Sequence, residues 1–544
     1  MSCFPTFQAI DVERASAAML QWSGADTHIS TAGAEMVSSS WFERKGVLPQ
    51  VRGLLAERSR EGYLVGGYVR DQLLGRETRD LDLVVRADAL ALARETANRL
   101  GGAFVVLDEE RQTGRVVLRD EGERYYVDFA TIRGGGVLAD LAGRDFTVNA
   151  MAIDVLDAAP EPEILDPFEG QRDLERGTLR AVSASVFRDD AIRLLRAVRL
   201  AAELGLKMDA GTEQAVIRDA HLITQVSAER VRDELCQILA VGGVENHLRY
   251  LDRLGLLSHL VPELDHLRGL EQPLPHKEDA FQHSLSSVGA MDWVVQAMDR
   301  ATRGQEMPAV ERWGAAGEGQ EYFRAVLGPF SQQLARYLGE ELVDERSRSV
   351  LLQLAALLHD AGKASTGRID DDGRIRFFGH AREGAGVAAR VLRRLHFGTS
   401  EVRLVQMAVR HHMRPLHLAR LERISDRVVY RFFRDTCGAG VDVLLLSLAD
   451  NLALIHAGEN LDQWARICHT VGLLLRGYYE RYDQVIAPEP LLSGRDLLER
   501  LGMKPGPDVG RILRALHEAQ ATGEVTNTEA ALQLAQGLLD EQAG

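Results

Sequence analysis

Cysteine is scarce. Cys3, Cys236, Cys437 and Cys468 are the only four in 544 residues, and they lie too far apart to form a metal-ligand spacing or a disulfide framework. Such usage is expected of a protein in a reducing cytoplasm. Long apolar runs are also missing: no stretch approaches the roughly 20 residues of a membrane-spanning helix, so no membrane partner is expected. Positive charge is in deficit, with 64 Lys and Arg against 80 Asp and Glu, a formal net charge of −16 and a pI near 5.5. That balance excludes wholesale coating by nucleic acid and confines any RNA to a local basic surface. There is no internal repeat and no low-complexity tract. Residues 1–44 lack the basic start and apolar centre of a signal peptide and are expected to form a loosely ordered extension. The length predicts roughly three or four domains.

The most informative stretch is YLVGGYVRDQLLGRETRDLDLVV, residues 63–85. Tyr63 to Val65 read as a short strand. Gly66 and Gly67 then expose backbone N–H groups at the mouth of a helix over 68–74, where negative charge is favoured. Arg70 lies one turn inside that helix. After Gly75, residues 81–85 read as a buried strand whose period of two sends Asp80 and Asp82 to one face, about 7 Å apart. Two such carboxylates can share a pair of divalent ions. Each element has a task in a metal-dependent nucleotide site, which a lone glycine pair or a lone Asp-x-Asp would not establish.

This segment resembles the head-domain signature of the nucleotidyltransferase superfamily, specifically the class II tRNA nucleotidyltransferase/poly(A) polymerase family. The resemblance implies an α/β head with a mixed sheet, Mg²⁺ at Asp80 and Asp82, and CTP and ATP as substrates. It also implies the 3′ end of tRNA or another RNA as acceptor. Apolar runs at 104–107, 116–118 and 125–129 read as strands around the Asp-x-Asp strand. Asp128 is either an edge aspartate facing water or, as the resemblance implies, a third metal-site carboxylate. ADLAGRDFTVNAMAID, residues 139–154, resembles the family motif that lines sugar and triphosphate. Arg144, Asp145 and Asn149 match it, while Gly143 replaces the first arginine of the family pair.

Beyond residue 155 strand signals almost vanish, which predicts a long all-α body. FRDDAIRLLRAVRLAAELGL, residues 187–206, reads as one helix carrying Asp190, Arg193, Arg196 and Arg199 at three-residue steps. Asp190 and Arg193 match the positions that choose CTP or ATP in the family, with Arg196 and Arg199 nearby. Asp189 stands where relatives more often have Glu. Glu229 and Arg230, in ITQVSAERVRDELCQIL, are expected to brace helices.

His283, His359, Asp360, His380, the doublet His411 and His412, and Asp450 form a second set of candidate ligands. Their order resembles the HD phosphohydrolase domain and implies a divalent metal, whose identity an imidazole and carboxylate set does not select. The doublet leaves open which histidine is the ligand. Arg420, Arg423, Arg427, Arg431 and Arg434 suit either a phosphate-contacting stripe or a solvated face paired with Glu422 and Asp426.

The expected organisation is an extension over 1–44, a nucleotidyltransferase head over 45–155 and a helical neck for base selection and RNA binding over 156–245. An HD domain with an insertion near 296–345 follows over 246–489, then a helical tail over 490–544. The expected function is template-independent addition of CMP and/or AMP to a tRNA 3′ end. The alternatives are a poly(A) polymerase, a CC-only or A-only enzyme, or chiefly a metal-dependent HD phosphohydrolase. Oligomeric state is not legible.

Overall fold

A computed structural model describes residues 40–58, 61–157, 159, 162–308, 317–343, 346–455 and 459–543. The expected extension lies outside the described residues up to 39. Its last residues, Trp41–Arg44, form a helix capped by Ser40, whose hydroxyl accepts from Glu43 N–H at 3.3 Å. The chain divides into two compact bodies. The first takes in the described residues to Arg193 together with Leu200–Val216; the second holds Leu194–Arg199 and the described residues from Ile217 onward.

The first body is built on a seven-stranded mixed sheet, as expected for the head. Its strands are β1 (Gly62–Val65), β2 (Asp80–Val85), β3 (Ala103–Asp108), β4 (Thr113–Asp120), β5 (Glu123–Thr131), β6 (Ala152–Asp154) and β7 (Ile164–Leu165), in the spatial order β3-β4-β5-β2-β1-β6-β7. The pairing of β2 with β5 is parallel, and all other neighbours in the sheet are antiparallel. The sequence of β2 explains its central place: Leu81, Leu83 and Val85 bury one face completely, while Asp80, Asp82 and Val84 share the other. The Ala89–Leu100 helix, N-capped by Asp88 and stopped by left-handed Gly101, buries Leu92, Ala93 and Ala97 and packs against β4.

The second body is helical, with short two-residue and three-residue strand pairs that apolar patterning does not announce. Its core helices are Arg348–Leu358 and Gly440–Ala453; every residue of the latter is buried. Helices this apolar belong in a core, surrounded here by the Ala280–Thr302 and Thr399–His411 helices, and the buried Asp442 and Asp450 of Gly440–Ala453 meet Arg348 and His283. No single described helix is long and apolar enough to cross a membrane. Within the expected insertion, residues 309–316 and 344–345 lie outside the described residues, and the Gly317–Leu327 and Ser331–Leu338 helices follow.

Three arginines of the stripe pair with the tail helix Pro507–Ala521 and its end: Arg431 and Arg434 bind Glu518 and Arg427 binds Glu524, while the expected partner Asp426 takes Arg481. Those acidic partners lie some 90 residues downstream, beyond the reach of local charge patterning.

Candidate active site and metal centre

In the head, the turn after β1 brings the glycines against the carboxylates. Gly66 has φ +70°, and a Cβ there would lie 3.0 Å from both Asp82 Oδ2 and Arg144 Nη1, so only glycine fits the turn without strain. Parallel pairing sets Asp82 beside Asp128 in register, and antiparallel pairing sets Asp128 beside Arg115 of β4. One row across the sheet therefore reads Arg115, Asp128, Asp82, then Gly66 with Arg144. Asp80 is exposed and Asp82 partly buried. Burial, and next the neighbouring Asp128 carboxylate, raise the Asp82 pKa to about 6, with Arg144 pulling the other way. A clustered, electrostatically frustrated set of oxygen donors is chemically suited to a hard divalent cation.

Arg70 sits differently from a free phosphate clamp. It is buried, its Nε and Nη2 donate to Asp71 at 2.8 and 2.9 Å, and its Nη1 donates to Asn149 Oδ1 at 2.7 Å. Asn149 in turn donates to Asp145, which also accepts from Phe146 N–H at 2.8 Å. Arg70, Asn149 and Asp145 thus form one connected brace beneath the Gly67–Leu73 helix. Arg144, held to Asp140 by two 3.3 Å bonds, keeps Nη1 toward Gly66 and Asp82.

The single helix expected from 187 to 206 is broken, a correction to the sequence reading. Val186–Asp189 is one short turn, Asp190 is extended with φ −154°, and a second helix runs over Arg193–Leu204. Asp190 therefore precedes the arginine helix, and its carbonyl accepts from Arg193 N–H at 3.1 Å. Arg193 reaches back: its Nη2 donates to Gly143 O at 2.8 Å. Gly143 thus accepts from Arg193, whose Nη1 also donates to Val186 O at 3.4 Å. Arg196 and Arg199 fall in the second body, where one buried carboxylate, Glu234, takes both at 3.1 and 2.7 Å. Glu229, on the Ala228–Ala240 helix, accepts from the ring of His396, two residues past the His380–Arg394 helix, at 2.6 Å.

In the second body six residues converge. His283 lies on the Ala280–Thr302 helix and Asp450 on Gly440–Ala453, 3.0 Å apart. His359 caps the C-terminus of the Arg348–Leu358 helix with Asp360 next in the chain, His380 begins His380–Arg394, and His412 caps the C-terminus of Thr399–His411. The groups His283, His359, Asp360, then His359, His412, Asp450, then Asp360, His380, His412 each place their ligand atoms within 4.8 Å of one another. Asp360 serves both sides, with Oδ2 at 3.1 Å from His359 Nε2 and Oδ1 at 3.5 Å from His380 Nε2. His411 is not in these groups; it is the helix's last residue, beside Arg410 and Arg414. The helical turn swings adjacent residues about 100° apart, which separates the doublet.

Three of the rings share one device. Nδ1 of His359, His380 and His412 bonds the carbonyl three residues back, at 2.8, 2.8 and 2.7 Å, and leaves a buried Nε2 turned toward the Asp360 and Asp450 carboxylates. A carbonyl that holds the proton on Nδ1 presents the Nε2 lone pair, the arrangement found behind metal-bound histidines. Close backbone approach completes it: a Cβ on Gly362 would lie 2.1 Å from His380 O, so only glycine lets the His359–Asp360 turn meet the His380 helix. Burial opposes charge on His359, yet Asp360 and Asp450 overcome it and raise its pKa to about 10. His412 is pushed down to about 3 by burial and by His359. These His and Asp residues fit a divalent metal.

Sequence reasoning missed four participants. Arg115 clamps Asp128, Asp140 holds Arg144, Glu234 takes the two arginines, and Lys363 contacts Asp360 Oδ2 at 2.5 Å. Lys363 and Asp140 have local signals, a three-residue step from Asp360 and a four-residue step to Arg144.

Four family models match the chain: the poly A polymerase head domain over residues 62–180, the probable RNA and SrmB-binding site of polymerase A over 205–267, the HD domain over 330–454, and the putative tRNA nucleotidyltransferase domain 2 over 478–535. The A-adding tRNA nucleotidyltransferase of Deinococcus radiodurans is 33% identical, covering 88% of this chain and 96% of its own length. The CC-adding tRNA nucleotidyltransferase of Thermus thermophilus is 34% identical over 87% and 92%. Among solved structures, a CCA-adding enzyme with ATP shares the fold at TM-score 0.54, 20% identity and 91% and 94% coverage. The Thermotoga maritima CCA-adding enzyme complexed with tRNA does so at 0.52, 20%, and 94% and 98%.

Proposed function

The chain belongs to the tRNA nucleotidyltransferase family built on the poly(A) polymerase head domain, and we propose that it transfers CMP, AMP or both from CTP and ATP to the 3′ end of tRNA. The observation that carries this reading is the single row of Asp128, Asp82, Gly66 and Arg144 with Asp80 one pleat away. A pair of Mg²⁺ ions on these carboxylates would activate the RNA 3′-hydroxyl and offset charge on the triphosphate. The hydroxyl oxygen bonds to the α-phosphorus as its proton passes to solvent water, the bond from that phosphorus to the oxygen bridging α and β breaks, and pyrophosphate leaves.

The chain's own groups orient this exchange. Gly67 N–H at the helix mouth and the Arg144 fork face the triphosphate. Arg70 acts through Asn149 and Asp145, keeping the turn in shape. Asp190 and Arg193 supply an acceptor and donors for the edge of the base, so choice between C and A is made by protein. Arg196 and Arg199 are proposed to be preset by Glu234. A cytoplasmic location fits the tRNA substrate and the free thiols of Cys236, Cys437 and Cys468.

A second activity is favoured by the buried Nε2 atoms that converge with the Asp360 and Asp450 carboxylates. We assign His283, His359, Asp360, His380, His412 and Asp450 to a metal-dependent phosphohydrolase site. A divalent ion there would supply a nucleophilic water at neutral pH. His359→Ala with Asp360→Ala should lose phosphate-ester hydrolysis and retain nucleotide addition; Asp80→Ala should do the reverse. Loss of addition in a folded His359→Ala, Asp360→Ala protein, or full addition by Asp80→Ala, would contradict the division of labour.

A further inference from the structure

Asp128 is not an open ligand. Arg115 Nε and Nη2 donate to its two oxygens at 2.8 Å each, so the third carboxylate of the row is capped by a bidentate fork. The cap is not sealed in: the Arg115 side chain is one-third exposed and lies over the Tyr126 ring with Cζ 4.6 Å from its centre. Arg115 stands two strands from Asp82 on the same face, on the order of 10 Å at the usual strand spacing. An RNA whose terminal hydroxyl reaches Asp82 carries its last phosphodiester one ribose away, within the span that a long arginine covers.

We propose that Arg115 is an exchangeable counter-charge that caps Asp128 in the free protein and moves to the terminal backbone phosphate of the acceptor RNA. The move releases Asp128 toward the cation at Asp82. Acceptor binding and cation binding are then coupled, and coupling between two ligands is reciprocal. Arg115 is a positioning residue in this scheme, and the inference rests on the nucleotidyl-transfer reading of the site.

The two partners predict opposite signs. The test measures the affinity of the full chain for a tRNA acceptor minihelix ending in a 3′-deoxynucleotide, so that no addition occurs, by fluorescence anisotropy in EDTA and in Mn²⁺. Wild type should bind ~10-fold more tightly with Mn²⁺, the scale of one charge-assisted contact. Arg115→Gln should bind weakly in both conditions. Asp128→Asn, which frees Arg115 without a cation, should bind in EDTA as tightly as wild type does in Mn²⁺. A merely structural pair would weaken both variants together. If Asp128→Asn weakens RNA binding as Arg115→Gln does, or if Mn²⁺ changes all three proteins equally, the inference is overturned while the transfer reading stands. Wild type that binds no acceptor under either condition overturns both.

Discussion

Replacing Asp82 by Asn should make the cation-free protein more stable at neutral pH, although it removes a residue assigned to the reaction. In the fold Asp82 is driven from an ordinary 3.8 to about 6, first by burial and then by Asp128 beside it. A carboxylate whose folded-state pKa is raised contributes stability below its unfolded value and loses it as pH rises through the folded one. The loss therefore accrues between about pH 4 and pH 6 and is complete at pH 7.5. The rise corresponds to about 3 kcal/mol, an upper figure because Asp82 keeps some contact with water. Hydrogen exchange of the peptide spanning β2, in EDTA, reads the head without relying on unfolding of the whole chain. Asp82→Asn should protect that peptide more than wild type at pH 7.5, and the gain should shrink toward pH 4. Adding Mg²⁺ should restore wild type and leave the variant unchanged. Equal protection at pH 7.5, or a gain of the same size at pH 4.5, would refute the reasoning.

His412→Ala should lower the metal content of the helical body, measured by elemental analysis after dialysis, whereas His411→Ala should leave it unchanged; equal losses would place both rings in the centre. Arg193→Ala removes the donor to Gly143 O and the donor proposed for the base edge, so discrimination between CTP and ATP should fall by about 1–3 kcal/mol in direct competition. Uniform slowing with unaltered preference would assign Arg193 to positioning alone.

The legible parts were those set by local periodicity. Alternation along β2 identifies Asp80 and Asp82 because Leu81, Leu83 and Val85 so clearly own the other face. The His359–Asp360 turn follows an equally clear apolar helix. What escaped depends on register and on distance in the chain. Arg115 meets Asp128 only because β4 and β5 pair with those residues opposite, which alternation alone does not specify. Glu234 meets Arg196 and Arg199 from another helix, and Glu518 meets Arg431 and Arg434 from the tail. The break at Asp190 was hidden because the three-residue arginine spacing continues across it.

The central claim is nucleotidyl transfer to tRNA 3′ ends by the Asp80 and Asp82 face. Its most direct test is incubation of the full chain with Mg²⁺, singly labelled CTP or ATP, and tRNA transcripts ending before CCA, after C and after CC. The account predicts labelled CMP or AMP at the 3′ end of at least one transcript, with pyrophosphate released, and none with Asp80→Ala or Asp82→Ala. No incorporation into any transcript by the folded wild-type protein, or incorporation that survives both substitutions, would contradict it.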